Sequence, residues 1–128
     1  MPKGSCNCGA VSFEVTGSLR PVLYCHCTQC RKQTGHFVAA TCADNADLQI
    51  EGGENLSWFT ASEDAKRGFC SICGSSMFWK ANGSKKTSIF AGSFDNPTGL
   101  ESGFHIYVDD KGDYYEICDG LPTFGQSD

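Results

Sequence analysis

The chain has 128 residues, 40% of them hydrophobic and 20% charged, with a formal net charge of −5. That length suits one domain over residues 1–128, and the composition is too apolar for a disordered chain. No apolar run reaches the roughly 18 residues of a membrane span, and an acidic chain without a basic block is a poor nucleic-acid binder.

Short β-like runs separated by Gly, Asn, Asp and Ser predict the elements in order. Ala10–Val15 alternates apolar and polar residues before Gly17. Pro21–Tyr24 runs straight into Cys25, and Thr28–Thr34 fits about two helical turns. Phe37–Cys42, Leu48–Ile50 and Leu56–Phe59 read as strands. Gly68-Phe69 and Gly74-Ser75-Ser76 read as turns around a cysteine pair. Met77–Trp79 and Thr87–Ala91 follow, and then His105–Val108 and Tyr114–Ile117 flank the turn Asp109–Asp113. Strands this short, with turns this frequent, predict a mainly β domain of two small antiparallel sheets.

The chain carries nine cysteines. Met1–Ser5 leads into them without an apolar stretch of the secretory kind, so a cytoplasmic protein is expected. An odd count in a reducing compartment argues against a disulfide framework. Seven fall into clusters: Cys6-Asn7-Cys8, Cys25-His26-Cys27-Thr28-Gln29-Cys30 and Cys70-Ser71-Ile72-Cys73. Structural zinc takes four thiolate or imidazole ligands. Two pairs supply four, and a triplet supplies three with one position open. The count therefore suggests a closed site of Cys6, Cys8, Cys70 and Cys73 and an open one of Cys25, Cys27 and Cys30. A redox pair at Cys70-x-x-Cys73 would need a strand–helix setting. An iron–sulfur cluster would need spacings other than these. Cys42 and Cys118, in apolar stretches, read as small buried thiols.

Five segments, in order, carry a resemblance. They are Gly4-Ser5-Cys6-Asn7-Cys8-Gly9, Cys25-His26-Cys27-Thr28-Gln29-Cys30-Arg31-Lys32, Arg67-Gly68-Phe69-Cys70-Ser71-Ile72-Cys73-Gly74-Ser75, Phe104-His105-Ile106 and Asp119-Gly120-Leu121-Pro122-Thr123-Phe124. With them the chain resembles the glutathione-dependent formaldehyde-activating enzymes, a family that takes in centromere protein V-like proteins. The resemblance implies an Mss4-like β-tent pinned by a structural zinc on Cys6, Cys8, Cys70 and Cys73. It implies a second, catalytic-type zinc on Cys25, Cys27 and Cys30. The implied reaction is that of a carbon–sulfur lyase joining glutathione to formaldehyde as S-hydroxymethylglutathione. The chain departs from relatives at Tyr114-Tyr115 and Glu101-Ser102-Gly103, positions expected to shape the pocket or its approach.

In this reading His26 braces the cysteines beside it, and His36 and His105 are strand histidines. Arg31, Lys32 and Arg67 are candidate cations for the carboxylates of glutathione, with ordinary surface charge as the plain alternative. Two other functions stay open. One is a related lyase using another small thiol. The other is a non-catalytic zinc-stabilised binding module, its triplet closed by His26, His36 or Cys42.

Overall fold

The computed structural model describes residues 1–127. In order the chain forms β1 (Lys3–Ser5), β2 (Ser12–Val15), β3 (Val22–Cys25), α1 (Thr28–Thr34), β4 (Val38–Asp44), β5 (Leu48–Glu51), β6 (Leu56–Thr60), β7 (Ala65–Cys70), β8 (Ser76–Ala81), β9 (Lys86–Phe90) and β10 (Ser102–Ile106). The strands make a three-stranded sheet, β1-β2-β5, and a seven-stranded sheet, β10-β3-β4-β9-β8-β7-β6. The fold is mainly β, and α1 has the bounds expected of it. One pairing in the larger sheet is parallel: β10 lies beside β3, with Ile106 opposite Cys25.

Side-chain alternation along β4 divides the interior in two, because successive residues of a strand point to opposite faces. Ala43 joins Val11, Phe13, Val15, Met77, Phe78, Ile89 and Phe94 in a core between the sheets. Val38 and Ala40 instead join Cys25, Cys30 and Ile106 in a second cluster on the other face. Phe13 anchors the first core, edge-on to Phe78 and Phe94 with ring centroids 5.7 and 5.1 Å away.

Three local expectations are corrected. Gly68-Phe69 is not a turn but lies within β7. The glycine is there because the Trp58 ring packs where a Cβ would sit, 3.0 Å from that position. Residues 114–117 do not form a strand. Tyr114 and Tyr115 instead pack side-on against histidines, and Lys111 Nζ donates to the Tyr115 carbonyl at 2.6 Å. Cys118 and Cys42 are not buried thiols: Cys118 is exposed, in a stretch that joins no strand among the described residues, and Cys42 is half-buried.

Candidate functional site

Cys6 and Cys8 sit on the turn between β1 and β2, while Cys70 ends β7 and Cys73 lies on the turn that follows. The sulfurs of these four lie within 4.8 Å of one another. Cys6 Sγ to Cys8 Sγ is 3.6 Å, and Cys8 Sγ to Cys70 Sγ is 3.8 Å. A metal–sulfur tetrahedron with bonds of about 2.3 Å has edges of about 3.8 Å, whereas a disulfide needs about 2.05 Å. The donor set therefore fits a tetrahedral thiophilic ion. Backbone N–H groups point at the sulfurs, from Val11 to Cys6 at 3.3 Å and from Cys73 to Cys70 at 3.5 Å. Both turns close on a glycine with left-handed φ, +83° at Gly9 and +80° at Gly74. Hydrogen bonds, first from Ser75, hold the Cys73 thiol down to about 5. The setting of Cys70-x-x-Cys73 is strand–turn–strand, without the helix a redox pair needs.

The sulfurs of Cys25, Cys27 and Cys30 form the second group within 4.8 Å. Cys25 ends β3, Cys27 is the N-cap of α1, and Cys30 lies in its first turn. The Cys27 sulfur accepts from the Cys30 N–H at 3.3 Å, so the helix start itself fixes two of the three. Side-chain hydrogen bonds from Cys25, then Cys30, hold the Cys27 thiol down to about 2. Hydrogen bonding with Cys27, then Cys30, pushes the Cys25 thiol far up. Three adjacent sulfurs can all ionise only around a cation, and three thiolates suit a borderline-soft ion.

A further residue braces this group. Arg67 is buried, and its Nη2 donates to Cys30 Sγ at 3.4 Å. Nε and Nη2 also donate to Gln29 Oε1 at 3.1 and 2.8 Å. Gln29 Nε2 in turn donates to the Ala61 carbonyl at 3.1 Å, which fixes the amide orientation. Arg67 is thus neither a surface charge nor a free cation. Lys32 is exposed and Arg31 half-buried, and neither is part of the cavity lining.

Behind the triplet runs a hydrogen-bonded chain. Tyr115 Oη is 2.5 Å from His26 Nδ1, His26 Nε2 is 2.8 Å from His105 Nδ1, and His105 Nε2 is 2.8 Å from Asp119 Oδ2. One proton arrangement satisfies every member. The Tyr115 hydroxyl donates to His26, His26 N–H donates to His105, and His105 N–H donates to the Asp119 carboxylate. Both histidines are neutral in it. Burial pushes His26 down to about 4. The hydrogen bond from His105 holds the Asp119 carboxyl below its ordinary value. His26 therefore turns both ring nitrogens away from the cysteines that flank it. His36 Nδ1 bonds Tyr114 Oη at 3.0 Å, and Cys42 lies in β4 opposite Ser88. Among the described residues none of these three joins the cysteine group.

The triplet opens onto a cavity of about 430 Å³, lined by all three cysteines. Sheet register builds its wall: Ile106 lies opposite Cys25 and Cys25 opposite Val38, Leu23 opposite Ala40 and Ala40 opposite Phe90, Ser88 opposite Trp79 and Trp79 opposite Arg67. Arg20, which the sequence did not single out, lines the cavity and two neighbouring surface clefts, so it stands at the rim. Tyr114 and Tyr115 are not part of the lining; they cover His36 and His26.

Fold and site together define a small β protein with two thiol clusters able to hold metal ions, one of them facing a cavity. The chain belongs to the glutathione-dependent formaldehyde-activating enzyme family, whose profile matches residues 1–110. An uncharacterized lyase of Schizosaccharomyces pombe is 26% identical over 124 residues, spanning 95% of this chain and 89% of that one. A Halomonas elongata protein, provisionally named a glutathione-dependent formaldehyde-activating enzyme, is 31% identical over 126 residues, 90% of this chain and 80% of that one. A solved Rhodobacter sphaeroides structure shares the fold, with a TM-score of 0.56, 24% identity, and coverage of 95% of this chain and 98% of that one. No helix among the described residues is long and apolar enough to cross a membrane.

Proposed function

We propose that the chain is a zinc-dependent carbon–sulfur lyase that makes and breaks a thiol–aldehyde adduct, with glutathione and formaldehyde as the pair its family implies. The observation that carries this reading is the triplet itself: three mutually close sulfurs at a cavity, with no fourth protein ligand among the described residues. Cys6, Cys8, Cys70 and Cys73 hold a structural zinc; Cys25, Cys27 and Cys30 hold the second. A zinc ion at the triplet supplies a Lewis-acidic position where a substrate thiol ionises at neutral pH.

The chain's own groups do the remainder. Cys25, Cys27 and Cys30 face the cavity, and Arg67 offsets their charge by donating to Cys30. Leu23, Val38, Ala40, Phe90 and Ile106 keep the surroundings apolar, which strengthens each charge interaction inside. Arg20 stands at the rim to receive a carboxylate of glutathione. In the reaction one carbon–sulfur bond forms between the thiol sulfur and the carbonyl carbon, and the thiol proton ends on the former carbonyl oxygen. A closed, non-catalytic site would need His26, His36 or Cys42 as fourth ligand, and their positions weigh against it.

The test is NMR exchange spectroscopy on glutathione plus formaldehyde, with and without zinc-loaded protein. Exchange between free and hydroxymethylated glutathione should accelerate, and Cys27→Ser should lose both the acceleration and one of two zinc ions. No acceleration at full loading, or an active variant with one zinc, would overturn the proposal.

A further inference from the structure

The cavity is built for something more than formaldehyde. Formaldehyde presents only hydrogen at its reacting carbon and has no surface to lay against a wall. Glutathione has two carboxylates, an ammonium and two amides, with polar atoms two bonds from its sulfur-bearing carbon. Neither one matches the surface beside the cysteines. Val38, Ala40 and Ile106 pack in one apolar cluster with Cys25 and Cys30, and Leu23 and Phe90 extend it. Among the described residues no aspartate or glutamate lines the cavity to pair with the ammonium of glutathione. Polar side chains are the minority of the lining, with Ser88 and Tyr107 beside the apolar row. Gln29 and Arg67 bond one another, and Arg67 also donates to Cys30. Arg20, at the rim, bonds the carbonyls of Ala40 at 3.2 Å and Pro21 at 3.4 Å. A tripeptide laid on the wall would leave amides unpaired, which disfavours that pose.

We infer that the cavity takes an adduct whose aldehyde half carries a hydrocarbon substituent, a chain or ring of several carbons that lies on the Leu23–Ala40–Phe90 row and against Val38 and Ile106. The inference rests on the lyase reading and specifies its carbonyl partner. Glutathione then reaches outward from the triplet, toward Arg20 and solvent, where its charges stay hydrated. The reaction is unchanged in its balance. A carbon–sulfur bond forms at a substituted carbonyl carbon, and the thiol proton passes to the oxygen of the same adduct.

Two measurements on zinc-loaded protein test this. The first follows exchange of glutathione with formaldehyde, propanal, pentanal and benzaldehyde by the same NMR method. Acceleration over the uncatalysed rate should rise from formaldehyde to pentanal by about tenfold, given roughly fourfold per fully buried methylene and only partial burial. The second needs no turnover: S-methylglutathione and S-pentylglutathione are titrated against the fluorescence of Trp79, which lines the cavity. The pentyl compound should bind about tenfold tighter. Ala40→Leu, which fills the wall, should bring both ratios toward unity, its fold checked by zinc content and thermal melting. Equal or better acceleration with formaldehyde, together with equal binding of the two thioethers, overturns the inference and leaves the lyase standing. No acceleration with any aldehyde overturns both.

Discussion

Arg67 Nη2 lies 3.4 Å from Cys30 Sγ, and no carboxylate is paired with this buried guanidinium among the described residues. A cation buried without a carboxylate needs another anion, and the sulfur it touches would become one once the triplet holds a metal ion. On the proposed reading Arg67 acts through the ligand Cys30 and is a positioning residue. Arg67→Met should weaken metal binding at the triplet by about 10–100-fold, the usual effect of losing a hydrogen bond to a ligand. Arg67→Lys should recover only part of it, since one ammonium cannot bond Gln29 and Cys30 in the same fork. Chelator competition with cobalt-loaded protein, read at the sulfur-to-cobalt bands, measures this. Unchanged affinity in the methionine variant would contradict it.

The four-cysteine cluster joins segments from different sheets, so the energy of a metal ion bound there would be folding energy. Cys70→Ser should lower the melting temperature steeply or abolish cooperative unfolding. Cys27→Ser should keep a cooperative melt and one metal ion. Near-UV circular dichroism together with metal counting separates the two, and an equally stable Cys70→Ser protein would refute the assignment.

The His26 imidazole, held at about 4 against its ordinary 6.5, should stay neutral at pH 5.5 in the fold. Between those values the unfolded chain binds a proton that the folded chain does not, so stability rises with pH across the window. The contribution of His26 is complete above about 6.5 and is lost as pH falls toward 4. Long-range ¹⁵N–¹H spectra report it directly and should show His26 protonated on Nε2 only. A titration midpoint near 6.5 would rule out the arrangement.

Arg20→Gln should raise the KM for glutathione by roughly tenfold, the scale of one hydrogen bond to a charged group, with little change in kcat. Glutathione methylated at its carboxylates should show the same loss with the native protein and no further loss with the variant. A change confined to kcat would place Arg20 elsewhere in the reaction.

Much of the fold and the candidate site was legible in the sequence, because the signals were local. Cys-x-Cys and Cys-x-x-Cys spacings fix their own turns, and α1 begins at a cysteine that caps it. Alternation at Ala10–Val15 marks a strand with two different faces. What was hidden depends on neighbours distant in sequence. Gly68 looks like a turn residue until Trp58 is placed over it. Tyr115 looks like a strand residue until His26 is placed beneath it. Arg20 gave no local signal, because only the packing of β3 against β4 brings it to the cavity rim.

The parallel pairing of β3 with β10 has a consequence for the order in which the molecule can be completed. His26 meets His105 across 79 positions of chain, and its N–H is received by the Ile106 carbonyl at 3.0 Å. Until β10 and Tyr115 leave the ribosome, the loop bearing Cys25, Cys27 and Cys30 has no strand on its outer side and no ring stack behind it. Contacts so distant form late. These three sulfurs are thus the last to be sheltered, and a newborn chain is open to oxidation at the thiols its chemistry would use.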